Sequence, residues 1–185
     1  NAAAWEAFDR RYRPILIGFA RNCGAKDVDA AEVAQETIVR FVEEYRAGKY
    51  DRNRGRLGAW LVTIARYRLL DSRRRAGTAR IERADSAMVD LDDERSLGAS
   101  YEAERRQALL REALDEMRTR SRTDPKTVKA FEMLVYHGLT PQVVAEQLEM
   151  STHDVYLAKS RVAAKLREIV LNERLDKMFE LSFFL

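Results

Sequence analysis

Between Asp29 and Tyr45, the residues Ala31, Ala34, Ile38, Phe41, Val42 and Tyr45 recur at the ~3.6-residue interval of one helix face. Nowhere does the chain show the two-residue alternation of a half-buried strand, and no internal repeat is evident. The residues that interrupt helices are scarce, with 8 Gly and 3 Pro among 185 residues, while Ala, Leu, Arg and Glu abound. An all-α fold is therefore expected. The spacing predicts helices over about 3–23, closed by Gly24, and over 29–45, closed by Gly48. Further helices are predicted over 59–75, with Leu57, Trp60, Leu61 and Ile64 facing the core, and over about 102–120 and 126–137.

Net charge, only +3, hides a strong segregation along the chain. Asp27 to Glu44 carries six acids against one Arg, and Tyr50 to Arg75 carries eight Arg against two Asp. Glu82 to Glu104 carries eight acids against two Arg, and Thr152 to Arg167 carries four cations against one Asp. Alternating blocks of this kind point to separate surfaces for separate partners. The third block also holds Ser86, Ser96, Gly98 and Ser100 and few large apolar residues, so it reads as an inter-domain linker, partly disordered or transiently helical. The expected division is 1–76, a linker over 77–103, a second helical domain over 104–171, and an apolar extension over 172–185.

Several classes are disfavoured. One cysteine, Cys23, leaves no internal disulfide and fits a reducing compartment. Two histidines far apart offer no metal-ligand spacing, so no metal or cofactor is expected. Gly55 and Gly58 are not spaced as a phosphate loop, and no carboxylate cluster marks a catalytic pocket, so an enzyme is not expected. No apolar run approaches the ~20 residues of a membrane span and no secretory signal is seen, so the expected location is cytoplasmic.

Two segments carry binding chemistry. From Leu139 to Ile169, Thr140 is placed to cap a helix beginning at Pro141, with Leu139 and Val144 at staple positions. Glu149-Met150 makes a turn, and Ser151 with Asp154 forms the cap of a longer helix. A small core of Val144, Ala145, Leu148, Met150, Val155, Val162 and Leu166 would join the two. The pattern is a helix-turn-helix presenting Thr152, His153, Tyr156, Lys159, Ser160 and Arg167 outward, with Arg161 and Lys165 available for phosphates. An ordinary helical hairpin with a solvated basic face is the competing reading. In the second segment, Tyr50, Trp60 and Tyr67 are interleaved with Arg52, Arg54, Arg56, Arg66, Arg68, Arg73 and Arg74. Arginines engage phosphates and exposed aromatics stack on unpaired bases. Trp60 also suits a core position, and Arg73 to Arg75 a solvated helix end.

The order of these pieces carries a resemblance. Asp29-Ala30-Ala31-Glu32-Val33-Ala34-Gln35-Glu36-Thr37-Ile38-Val39-Arg40 resembles the DAEDLVQEVFLR motif of bacterial sigma-70 family factors. Gly58 to Arg66 is similar to that family's FRAWLxxIAR segment, and Asp71 with Arg73 to Arg75 to its DxxRR ending. Leu139 to Glu146 and Val155 to Glu168 are similar to its C-terminal helix-turn-helix. Without the family's larger middle domain, the chain resembles the small two-domain, extracytoplasmic function type. Ala31 stands where an acid is usual, and Tyr67 where Asn is frequent.

The resemblance implies a sigma factor that binds core RNA polymerase and directs initiation at promoters. Asp29, Glu32, Gln35, Glu36 and Arg40 would dock on the β′ clamp helices, and the second domain would meet the β flap. Tyr50, Arg52, Arg54, Arg56, Arg66, Tyr67, Arg68, Arg73 and Arg74 would capture the melted minus-ten strand, which requires an open cationic trough. Thr152, His153, Tyr156, Lys159, Ser160, Arg161, Lys165 and Arg167 would read the minus-thirty-five duplex. An anti-sigma factor or other regulator would be a further partner; apart from the resemblance, the hydroxyl of Thr37 beside the acidic stripe could in principle accept a phosphate. A DNA-binding regulator independent of polymerase is the competing reading, distinguished by its having no use for the acidic helix and Arg-rich loop.

Overall fold

The computed structural model describes residues 2–51, 53, 55–75, 89–120 and 123–180; the side chains of 120 and 170–180 are not described. Among the described residues there are seven helices and no strand, so the fold is all-α. Two units are distinguished, Asn1–Ala108 and Leu109–Leu185.

In the first unit, α1 (Ala2–Asn22), α2 (Asp27–Arg46) and α3 (Leu57–Arg75) pack around Ile15, Leu16, Phe19, Val33, Ile38, Phe41, Leu61, Ile64 and Leu69. The two helix ends signalled by glycine form as predicted. Gly24 (φ 87°) and Gly48 (φ 69°) take the left-handed conformation, and Ala25 N–H and Lys49 N–H return to the Ala20 and Glu44 carbonyls. On α2 the buried arc is Ala30, Val33, Ala34, Thr37, Ile38 and Phe41, whereas Ala31 is exposed. The expected stripe was thus rotated at its N-terminal end. Its centre runs along Ala34 and Phe41, which brings in Ala30 and turns Ala31 out. Thr37 is fully buried, its hydroxyl donating to the Val33 carbonyl (2.7 Å), so it is not an accessible phosphate acceptor.

The largest departure concerns the acidic segment expected as a linker. Residues 77–88 lie outside the described residues, but α4 begins at Glu94 and continues to Arg120. Leu91, Leu97, Tyr101 and Ala108 join the core of the first unit. The reason is a sparse apolar seam: Leu97, Tyr101 and Ala108 share one helix face at i, i+4 and i+11, diluted by the charges between them. Two small residues receive α4. A Cβ on Gly58 would stand 2.8 Å from Tyr101 Cε1, and one on Gly18 would meet the Glu104 carboxylate.

In the second unit, the C-terminal part of α4 packs with α5 (Pro125–Val135), α6 (Pro141–Gln147) and α7 (Thr152–Glu180). The predicted caps are present. Thr140 Oγ1 accepts Val143 N–H (3.4 Å), and Ser151 Oγ accepts Asp154 N–H (3.0 Å) while its hydroxyl donates to Asp154 Oδ2 (2.7 Å). The single core expected here is two clusters. Val144, Ala145, Val155 and Ala158 pack with Ala130 and Met133, while Val162 and Leu166 pack with Met117, Val128 and Phe131. About one turn of α7 separates Ala158 from Val162; the first group meets α6 and the second α4, while α5 contributes to both. The 172–185 extension is helical as far as Glu180, and residues 181–185 lie outside the described set.

Candidate nucleic-acid interface

Helix α3 carries three flanks around its buried face. Toward α2, Arg75 is bound by Glu32 (3.1 Å) and Glu36 (3.3 Å), and the Trp60 indole N–H donates to Glu44 (2.8 Å). The two carboxylates, Glu36 foremost, raise the Arg75 guanidinium above its ordinary range. On the opposite flank, Arg66 Nε donates to the Leu91 carbonyl (2.5 Å) and Nη2 to Asp92 (3.0 Å), and Arg73 donates to the Cys23 carbonyl (2.8 Å). Between them lies an open flank of Thr63, Tyr67 and Arg74; Tyr67 is 55% exposed. Arg74 is a loose 3.7 Å from Asp71, which also meets Arg68 at 3.4 Å.

The continuous cationic trough required by the sequence reading is therefore only partly present. Arg66, Arg68 and Arg73 are engaged by groups of the chain itself, while Tyr67 and Arg74 stand open and Arg56 is exposed. Tyr50 is half-buried, its ring 5.0 Å from Trp60 and 6.2 Å from Phe41. Both belong to an aromatic cluster with Trp5, Phe8 and Tyr45, in which each edge or stacked pair adds about 0.5–1.5 kcal/mol beyond burial. Arg52 and Arg54 lie outside the described residues.

The polar residues singled out on α2 lie outside its buried arc. Glu32, Gln35 and Arg40 are exposed and Asp29 and Glu36 half-buried. Arg40 bridges Glu44 (2.9 Å) and Glu43 (3.5 Å), and Arg13 reaches Gln35 Oε1 (3.4 Å). Sequence reasoning missed two members of this face, Val28 (80% exposed) and Val39 (50% exposed). Val39 lines an open cleft of about 450 Å³ with Gln35, Glu36, Arg40, Glu43 and Arg68. The signal was available: Val28, Glu32, Gln35 and Val39 follow one another at i+4, i+3 and i+4. Exposed aliphatics among paired charges suit a protein partner better than a polyanion.

In the second unit, Thr152, His153, Tyr156, Lys159, Ser160, Arg161 and Arg167 are all exposed on α7, with Tyr156 at 57%. Lys165 is half-buried and pairs with Glu168 (2.9 Å). Ala158 is 2% exposed and belongs to the core. The Ser151 hydrogen bond holds the Asp154 carboxyl below the ordinary range. Met150 N–H returns to the Ala145 carbonyl, and Glu149 takes a positive φ (49°) that tightens the turn before α7.

Among the described residues, no group of His, Cys, Asp or Glu is placed to hold a metal ion, and no helix is long and apolar enough to cross a membrane. Residues 8–78 match the family model described as Sigma-70 region 2. The match takes in α2, α3 and their connection. No curated protein matches the chain.

Proposed function

We propose that the protein is a sigma factor of the small, two-domain, extracytoplasmic function type. It binds core RNA polymerase and directs initiation at specific promoters. The observation that carries this reading is the Sigma-70 region 2 match over 8–78, which spans both the acidic α2 face and the Arg-rich α3. Such factors act by binding, not by catalysis. Melting is driven by affinity for the unpaired strand, where stacking and phosphate contacts offset an unstacking cost of a few kcal/mol.

In this reading the α2 face of Asp29, Glu32, Gln35, Glu36 and Arg40, with Val39, docks on the polymerase β′ clamp helices. The open flank of α3 meets the non-template strand of the minus-ten element, Tyr67 offering a stacking platform and Arg74 and Arg56 phosphate contacts. Arg66, Arg68 and Arg73 join after their present partners are displaced. The second unit serves as a helix-turn-helix, with α7 in the major groove of the minus-thirty-five element and the β flap as its polymerase contact. Its support is the exposed run from Thr152 to Arg161 and the cap at Ser151. An anti-sigma factor or other regulator would bind one of these two faces.

The decisive test is capture of the full chain by core polymerase, followed by run-off transcription from a randomised promoter library. Retention and a selected promoter class are expected. Glu32→Lys, at an exposed position, should weaken capture roughly tenfold, since reversing one interface charge costs on the order of 1–2 kcal/mol, without altering the circular dichroism spectrum. Unchanged capture would remove the assigned interface.

A further inference from the structure

We propose that residues 89–104 form a strap that occupies Arg66 in the free protein, and that single-stranded DNA competes with the strap for this guanidinium. The inference rests on the strand-capture reading above. The two groups on Arg66 are a backbone carbonyl, Leu91 O, and a carboxylate, Asp92. Together they present oxygens to a guanidinium much as a phosphodiester does. The strap belongs to a block, 82–104, holding eight acids and two Arg, so it carries the sign of the nucleic acid it would imitate.

Its anchorage is specific. Val89 N–H donates to the Asn22 carbonyl (3.1 Å), and the Asn22 amide donates to Ser100 (3.2 Å) and Glu104 (3.0 Å). Leu91, Leu97 and Tyr101 enter the core, and Gly18 and Gly58 leave the room that α4 takes up. Two features make the anchorage reversible. Asp92 is 86% exposed, so its pair with Arg66 is weak and yields to a competing polyanion. Tyr101 is 1% exposed, and its buried hydroxyl has no hydrogen-bond partner. Docking thus strips water from that hydroxyl without replacing it, and release restores the lost hydrogen bond.

The test uses the full chain and a fluorescein-labelled pool of randomised 15-nucleotide single strands. Asp92→Asn should tighten strand binding roughly threefold more than Glu94→Gln, as expected for freeing one exposed ion pair; Glu94→Gln removes the same charge without touching Arg66. The advantage should vanish when both are placed in an Arg66→Ala background. Tyr101→Phe removes the stranded hydroxyl, so it should strengthen docking and weaken strand binding. Hydrogen exchange of amides 94–104 should accelerate when the strand is bound. Equal gains from Asp92→Asn and Glu94→Gln, or a strap whose exchange is unchanged or slowed by bound strand, overturn the proposal while leaving polymerase capture standing. A chain that neither binds strand nor is captured by polymerase overturns the functional reading, and the strap with it.

Discussion

Helix α3 and helix α7 are both basic, yet the chain treats their cations in opposite ways. On α3, Arg66, Arg68, Arg73 and Arg75 each meet a carboxylate or carbonyl of the same unit. On α7, among the described residues, Lys159, Arg161 and Arg167 are exposed and make no ion pair, and only Lys165 has one. If α7 meets duplex DNA, as proposed, it gains from cations standing free, because the polyanion is always present and long-range attraction speeds encounter. If α3 captures a strand that exists only after melting, as proposed, it can hold its arginines in reserve. Pairing costs little there and discourages binding to the wrong partner.

The sharpest way to break this comparison is to strip the open cations. Replacing Lys159, Arg161 and Arg167 together by Ala should weaken binding to a randomised 30-base-pair duplex roughly ten- to a hundredfold at low salt, and flatten the salt dependence by about two to three units. Polymerase capture should be unaffected. A duplex affinity that persists would place the DNA-binding surface elsewhere.

A smaller effect tests how α4 seats on the first unit. Gly58→Ala would force a Cβ to within 2.8 Å of the Tyr101 ring. Overpacking of this kind costs about 1–3 kcal/mol, measurable as a lowered denaturant midpoint. Gly98→Ala, on α4 three residues before Tyr101 and with nothing within 4 Å, should instead raise stability by about 0.5–1 kcal/mol. If the two substitutions behave alike, the close approach of Tyr101 to α3 is wrong.

The smallest effect lies at the start of α7. Ser151→Ala removes the cap and should lower the thermal midpoint by a few degrees, as loss of a helix N-cap does. Because the Ser151 hydroxyl depresses the Asp154 pKa, its contribution is present above the ordinary carboxylate range near ~3.9 and is lost as pH falls through the folded value. The Ser151→Ala chain should accordingly lose less stability than the parent on acidification. Parallel acid limbs would show that the cap is not formed.

What could be read from residue order was whatever local geometry dictates. Glycine after α1 and α2, Thr140 before Pro141, and Ser151 three residues before Asp154 announce helix boundaries because they satisfy backbone groups of their own neighbours. The exposed face of α7 and the polar stripe of α2 were legible for the same reason: helical periodicity alone sorts them. The status of a charged side chain was not. Arg66 and Arg74 are indistinguishable as letters, yet one meets Asp92, 26 positions on, and the other only Asp71, three positions back, at a loose 3.7 Å. Likewise the acidic stretch from 89 to 103 reads as linker until Gly58 leaves room for Tyr101 and Leu97 joins the same core. Sequence by itself determined the helices and the chemistry each one offers. Only the tertiary structure decided which cations are free, because pairing depends on distances across the fold that no local spacing encodes.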